Sequence, residues 1–270
     1  MVVTDFQRVV CRVLAERRRQ AGDSYVAGGT ALNLVLDAPR FSRDIDIFHD
    51  TTEALRASWQ ADRETLAAEQ YTIQIVRDSP TFVEIIARKD DGQVLIQWLR
   101  ESAFRFFPLL EHDTLGLVLH PFDLATNKVL AMAGRLEPRD WIDLIASCRG
   151  VQPLGYLIWA ACGKDPGYNP DSLLQEIKRG SHYSQAEIDT LEFAGPKPDA
   201  RSLGTTWHEF LREAKAVIDL LPEDQLGTAL CAADGTLLTH SPDQLRIALD
   251  SGSVRFHHGS VRGAWPTLTT

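Results

Sequence analysis

Asp44 and Asp46 stand two residues apart in a stretch, Asp44-Ile45-Asp46-Ile47, that alternates polar and apolar side chains. On a β-strand that spacing projects both carboxylates from one face. Their Cα atoms would lie about 6–7 Å apart, and two negative charges that close repel unless a cation sits between them. Ligation by oxygen alone suits Mg2+ (or Mn2+), which keeps several waters and takes further ligands from phosphates. Upstream, Gly28-Gly29-Thr30 separates a short apolar strand, Tyr25-Val26-Ala27, from an apolar helical stretch beginning at Thr30. Two glycines there let a bulky anion approach the backbone, and the helix start offers unpaired N–H groups and the positive end of its dipole. The Thr30 hydroxyl is available to a phosphate or to cap the helix. Alone, the glycine pair reads as a tight turn and the Asp-x-Asp as an acidic sheet edge. In succession they read as a phosphate-and-metal site.

Further candidates lie downstream. Lys128 is the only lysine between Lys89 and Lys164, on a helix otherwise lined by Leu124, Val129, Leu130 and Met132. Such a lysine can snorkel to solvent. On the next helix Asp140 and Asp143 share a face, and Arg139 is spaced to pair with Asp143. Arg17-Arg18-Arg19 is the densest basic run, read first as a solvated helix face. Phe104-Arg105-Phe106-Phe107 reads as packing before it reads as a platform for a base. His257-His258 has no neighbours at zinc spacing, and the G-x-S-x-G, GxxxxGK[ST] and GxGxxG motifs are absent.

The elements that must position these residues follow from periodicity. Thr4 to about residue 20 is an amphipathic helix with Phe6, Val9, Val10, Val13 and Leu14 on one side. A helix over about 52–69 precedes strands at about 71–77, 81–88 and 93–99, the last two joined by the turn Lys89-Asp90-Asp91-Gly92. Pro121 and Pro138 each open a helix. Beyond Gly150 the pattern is mostly helical: 152–162, 171–179, 184–193 with a Ser184/Glu187 capping box, and 205–221. The stripe Trp207, Phe210, Leu211, Ala214, Ile218 reads as core. The stretch 235–270 has no clear pattern. This order predicts an α+β (α/β) fold, with an α/β domain over 1–118 and a mainly helical domain over 119–270.

The 270 residues carry a net charge of −9, which disfavours a long grip on a nucleic-acid backbone. No apolar run reaches the ~20 residues of a membrane span. Arg17, Arg18 and Arg19 interrupt any secretory-signal pattern, and the four cysteines form no CxxC pair, so a cytoplasmic location with no membrane partner is expected.

The run Gly28-Gly29-Thr30-Ala31-Leu32 followed by Arg43-Asp44-Ile45-Asp46-Ile47-Phe48 resembles the polymerase-β-like nucleotidyltransferase superfamily. More narrowly, with Asp123-Leu124-Ala125-Thr126-Asn127-Lys128, Arg135 and Arg139-Asp140-Trp141-Ile142-Asp143-Leu144, it resembles the AbiEii/AbiGii-type toxins of type IV toxin–antitoxin systems. The resemblance covers about residues 24–146. It implies a mixed sheet flanked by helices and transfer of NMP from an NTP to an acceptor hydroxyl. Asp44 and Asp46 would then be catalytic metal ligands, and Gly28, Gly29, Thr30 and Arg43 nucleotide-binding. Lys128 and Asp143 would complete the catalytic set, with Lys128 on the triphosphate. The acceptor would be an RNA such as a tRNA end, or a protein, and an antitoxin the partner. Many superfamily members carry a third carboxylate on a later strand, where this chain has Gln97; Glu84 and Glu101 are the possible substitutes. That departure leaves a slow enzyme, one that uses Asp143 instead, or a decayed nucleotide- or partner-binding protein of this fold. Separately, a small-molecule nucleotidyltransferase of the antibiotic-modifying type shares the same motifs, and the acidic net charge suits it.

Overall fold

The computed structural model describes residues 3–180 and 182–267. The first of two compact units takes in the chain up to Ala103, then Leu109–His120 and Glu192–Gly195. Its opening helix α1 (Asp5–Ala21) is set by a capping box between Thr4 and Gln7 and stopped by Gly22 at φ +67°. Such caps are worth about 1 kcal/mol each. Strand β1 (Ser24–Ala27) runs into helix α2 (Gly28–Val35), followed by β2 (Asp44–His49) and α3 (Thr52–Ala68). Strands β3 (Thr72–Ser79), β4 (Phe82–Lys89) and β5 (Gly92–Arg100) form a meander.

These five strands join β7 (Leu110–His112) and β8 (Gly116–Val118) in one mixed sheet, ordered β3-β4-β5-β2-β1-β8-β7. The β2–β5 and β1–β8 pairs are parallel and the others antiparallel. Alternation sorts the central strands into two faces. Ile45, Ile47, Val83, Ile85, Ile96 and Trp98 are buried on one face, against α1 and α3. Asp44, Asp46, Glu84 and Gln97 are half-buried on the other. A one-residue slip of β2 would expose both isoleucines and bury both aspartates. At about 1.5–3 kcal/mol per apolar side chain, the core side fixes the register that the other face uses.

The arginine run is not a solvated face. Arg18 is 2% exposed and donates to the Leu115 carbonyl, while Arg19 donates to the His112 and Asp113 carbonyls. Arg17 lies 3.7 Å from the buried Asp62. The run ties α1 to α3 and to the β7–β8 hairpin, two short strands with no periodic signal of their own.

The second unit holds Phe104–Pro108, Pro121–Leu191 and the chain from Pro196 onward. Helices α4 (Pro121–Gly134), α5 (Pro138–Gly150), α6 (Leu154–Lys164), α7 (Pro170–Arg179), α8 (Gln185–Asp189), α9 (Ala200–Ile218) and α10 (Pro242–Asp250) dominate it. The unpatterned tail is α10 together with short strands. β9 (Thr228–Cys231) pairs with β10 (Arg255–His258), and β6 (Phe104–Arg105) with β11 (Ser260–Val261). Tyr156, Trp159, Val217, Leu221, Leu230, Leu238 and Leu245 form a core here, and Trp207 is buried as its stripe predicts. The Phe104–Phe107 patch is packing: Phe106 and Phe107 meet Phe122 edge-on. Helix α8 ends before residue 193 because the following backbone pairs elsewhere. Phe41 N donates to Glu192 O, and Ala194 N to Pro39 O.

Candidate active site

The first-unit candidates converge where β1 turns into α2 beside β2. Gly28 has φ +67°, and a Cβ there would overlap the Asp46 carboxylate, its Cγ only 2.8 Å away. Glycine is therefore required twice, for the left-handed backbone and for the approach of the aspartate. A Cβ on Gly29 would lie 2.8 Å from both Arg40 Nη2 and Ser42 Oγ. Thr30 is fully buried, and its hydroxyl donates to the Asp44 carbonyl. That bond ties α2 to β2, so the hydroxyl is spent on the backbone and not offered to a ligand. Ser42 donates to Asp44 Oδ1 at 2.8 Å, steadying that carboxylate.

Arg43 sits apart from this cluster. It immediately precedes β2, and its exposed guanidinium lies 2.5 Å from Glu192 Oε1. The basic group that the structure places beside the glycines is Arg40, 4% exposed, whose Nη1 donates to the Phe41 carbonyl. Arg40 lacked any signal in the sequence beyond its closeness to Asp44, because its approach to Gly29 depends on the turn after α2.

The sheet register fixes the parity of the candidates for a third carboxylate. Asp46 is opposite Gln97, and Gln97 is opposite Glu84. In-register partners share a face, so Glu84 belongs to the same face as Asp46, one strand beyond Gln97. Gln97 Nε2 donates to Glu84 Oε2 at 2.6 Å. Glu101 lies past the end of β5, with its N–H bonded to the His49 carbonyl.

Lys128 and Asp143 lie in the second unit as part of a buried ion cluster. Lys128 Nζ is 2.7 Å from Asp140 Oδ1 and 2.9 Å from Asp143 Oδ2. Arg135 Nε reaches the other Asp140 oxygen at 2.6 Å. Lys128 is 7% exposed, so it does not snorkel to solvent. Burial works against its charge, but Asp143 and Asp140 outweigh that and hold its pKa above the ordinary value. Burial likewise opposes ionisation of Asp140, yet Lys128 and Arg135 keep its pKa below the usual range. Arg139, spaced to pair with Asp143, has Nε 3.8 Å from Glu137. A parallel pair joins Lys164 to the buried Asp123 at 2.8 Å, and Asp123 accepts from the Phe106 and Phe107 N–H groups.

A mixed sheet with two aspartates on a central strand, beside a strand that turns through Gly-Gly into a helix, has the polymerase-β-like nucleotidyltransferase fold. The chain belongs to the AbiEii nucleotidyl transferase toxin family of type IV toxin–antitoxin systems, whose model matches residues 12–164. Among solved structures it is similar to JHP933 from Helicobacter pylori. The identity is 14% and the TM-score 0.52, over 80% of this chain and 95% of that one. It is also similar to MenT4, a nucleotidyltransferase toxin from Mycobacterium tuberculosis, at 16% identity and TM-score 0.46, over 80% and 84% of the chains. Comparison with curated proteins found no match. No helix among the described residues is long and apolar enough to cross a membrane.

Proposed function

We propose that the chain is a metal-dependent nucleotidyltransferase that moves NMP from an NTP to an acceptor hydroxyl, as the toxin of a toxin–antitoxin pair. The observation that carries the reading is the packing of the Asp46 carboxylate against Gly28. It brings the carboxylate face of β2 up to the phosphate-type turn that opens α2. The donor set fits Mg2+ or Mn2+, since Asp44 and Asp46 offer hard oxygens from one face of a strand. A bound divalent ion would supply Lewis-acid stabilisation of charge on the phosphates and activation of the attacking hydroxyl.

The chain's own residues supply the positioning. The N–H groups at the start of α2, at Gly28, Gly29 and Thr30, receive phosphate oxygens with the helix dipole behind them. Arg40 adds a buried positive charge beside Gly29, and a contribution from Arg43 would require it to leave Glu192. The acceptor oxygen attacks the α-phosphorus in line, the bond to the β-phosphate oxygen breaks, and pyrophosphate departs. The acceptor proton passes to solvent or to a carboxylate. Catalysis of this kind is chiefly alignment and charge stabilisation. The family likeness supports two more elements of the proposal: a catalytic contribution from Lys128 and Asp143, carried by the helical domain over 119–270, and an RNA or protein acceptor.

The test is incubation with each α-labelled NTP, Mg2+ and total RNA, beside an Asp44→Ala/Asp46→Ala variant. Label transferred by the wild type alone supports the reading, and the labelled species identifies the acceptor. No transfer with any nucleotide, while NTP–Mg2+ still binds, overturns it in favour of a decayed site.

A further inference from the structure

We infer that Glu192 is a positioning residue for the phosphate site: its carboxylate holds the Arg43 guanidinium in the place of a phosphate and gives it up to the phosphates of an incoming NTP. The inference rests on the proposed role of Arg43 and adds to it the group that competes for that side chain.

Glu192 lies on a strap. The stretch Glu192–Gly195, between α8 and α9, belongs to the first unit. Its backbone pairs with the segment that leads from α2 to β2. Phe41 N donates to Glu192 O at 2.9 Å, Ala194 N donates to Pro39 O at 2.7 Å, and Arg40 and Phe193 form an antiparallel bridge. The same segment carries Arg40, whose Nη2 would lie 2.8 Å from a Cβ on Gly29, and it ends in Ser42, Arg43 and Asp44. The strap therefore pins the Glu192 main chain against the connection between the glycine turn and the aspartate strand. From there Glu192 Oε1 reaches Arg43 Nη2 at 2.5 Å.

Carboxylate and phosphate oxygens are alternative partners for one guanidinium, because both accept from its forked N–H donors. The Arg43 and Glu192 side chains are 75% and 57% exposed. Water and salt screen such a pair, so it adds little to stability, and the strap has backbone bonds that hold it without the ion pair. The carboxylate instead decides which partner Arg43 meets first. With its main chain pinned, Glu192 stays near Arg43 at high effective concentration, and a phosphate oxygen has to displace it. The exposed setting makes that displacement possible: the pair is weak, and a triphosphate brings more negative charge than one carboxylate.

The experiment is calorimetric titration of the full chain with inorganic triphosphate and Mg2+, a probe independent of base preference, with fold checked by circular dichroism. Glu192→Gln is expected to bind about threefold more tightly than the wild type, the scale of one exposed ion pair. Arg43→Ala is expected to bind about tenfold more weakly, the scale of one charge-assisted contact. The double variant is expected to match Arg43→Ala alone, because Glu192 acts through that side chain. The Glu192→Gln gain should shrink as salt rises. A strap residue that served only packing would lower the affinity or leave it unchanged. Unchanged or weaker binding by Glu192→Gln, a gain that persists beside Arg43→Ala, or wild-type binding by Arg43→Ala each overturns the inference and leaves the aspartate pair and the glycine turn standing. Absence of triphosphate binding by the wild type overturns it together with the proposed function.

Discussion

Asp44 with Asp46 in the first unit and Asp140 with Asp143 in the second are similar pairs on paper and occupy opposite surroundings. The second pair is buried, at 0% and 1% exposure, and its oxygens are taken by Lys128 and Arg135 at 2.6–2.9 Å. The first pair is half-buried on the sheet face opposite Ile45 and Ile47, where one carboxylate is steadied by a serine hydroxyl and the other packs on a glycine. Buried carboxylates demand internal cations, because desolvation otherwise costs several kcal/mol per charge. Half-buried carboxylates stay closer to water, so their desolvation costs less and an ion can reach them from outside. Spacing alone does not distinguish these cases; burial does.

The sharpest way to break the comparison is to remove the cation of the second cluster. Lys128→Met leaves Asp143 and half of Asp140 without their ammonium, and is expected to lower unfolding free energy by about 3–5 kcal/mol in denaturant titrations. Asp46→Ala, by contrast, is expected to leave stability within about 1 kcal/mol of wild type. A Lys128→Met loss as small as that would contradict the structural reading of the cluster.

His49 sharpens the same contrast within one strand. It lies three residues beyond Asp46, on the buried side, and burial pushes its imidazole pKa down from 6.5 to about 4. The folded state prefers the neutral ring, so its contribution is complete above about pH 6.5 and is lost as pH falls toward 4. The difference amounts to up to about 3 kcal/mol. Unfolding measured at pH 7 and pH 4.5 should therefore show a smaller acid loss in His49→Gln than in wild type. An equal loss in both would place the acid sensitivity elsewhere.

A comparison of two glycines isolates the contact between the turn and the aspartate. Gly22 and Gly28 share φ +67°, but a Cβ at Gly22 meets nothing within 4 Å, whereas one at Gly28 strikes Asp46. Gly22→Ala is expected to cost about 1 kcal/mol for the backbone alone, and Gly28→Ala about 1–3 kcal/mol more, with transfer activity lost. Equal melting shifts and retained transfer would remove the turn from the site.

Much of this arrangement was legible in the chain because its signals are local. The Ser184/Glu187 capping box, the glycine pair, the alternation through Asp44–Ile47 and the proline starts of α4 and α5 each act over a few residues, and the structure keeps them. What stayed hidden depends on partners distant in sequence. The parity of Glu84 needed the β4–β5 and β2–β5 registers. Arg17, Arg18 and Arg19 look like a solvated run until β7 and β8 supply carbonyls for them. The early end of α8 follows from Glu192 and Ala194 pairing with Phe41 and Pro39. The Lys128 cluster was half visible, since helical spacing put Asp140 and Asp143 on one face, but which cation they hold was settled by helix packing.

The most direct test of the central claim is a crystal structure of the chain with Mn2+ and a non-hydrolysable NTP analogue, read by the anomalous signal of manganese. The account predicts a peak bridging Asp44 and Asp46, with the phosphates against Gly28 and Gly29. A nucleotide bound with its metal elsewhere, and no peak at the two aspartates, would contradict it.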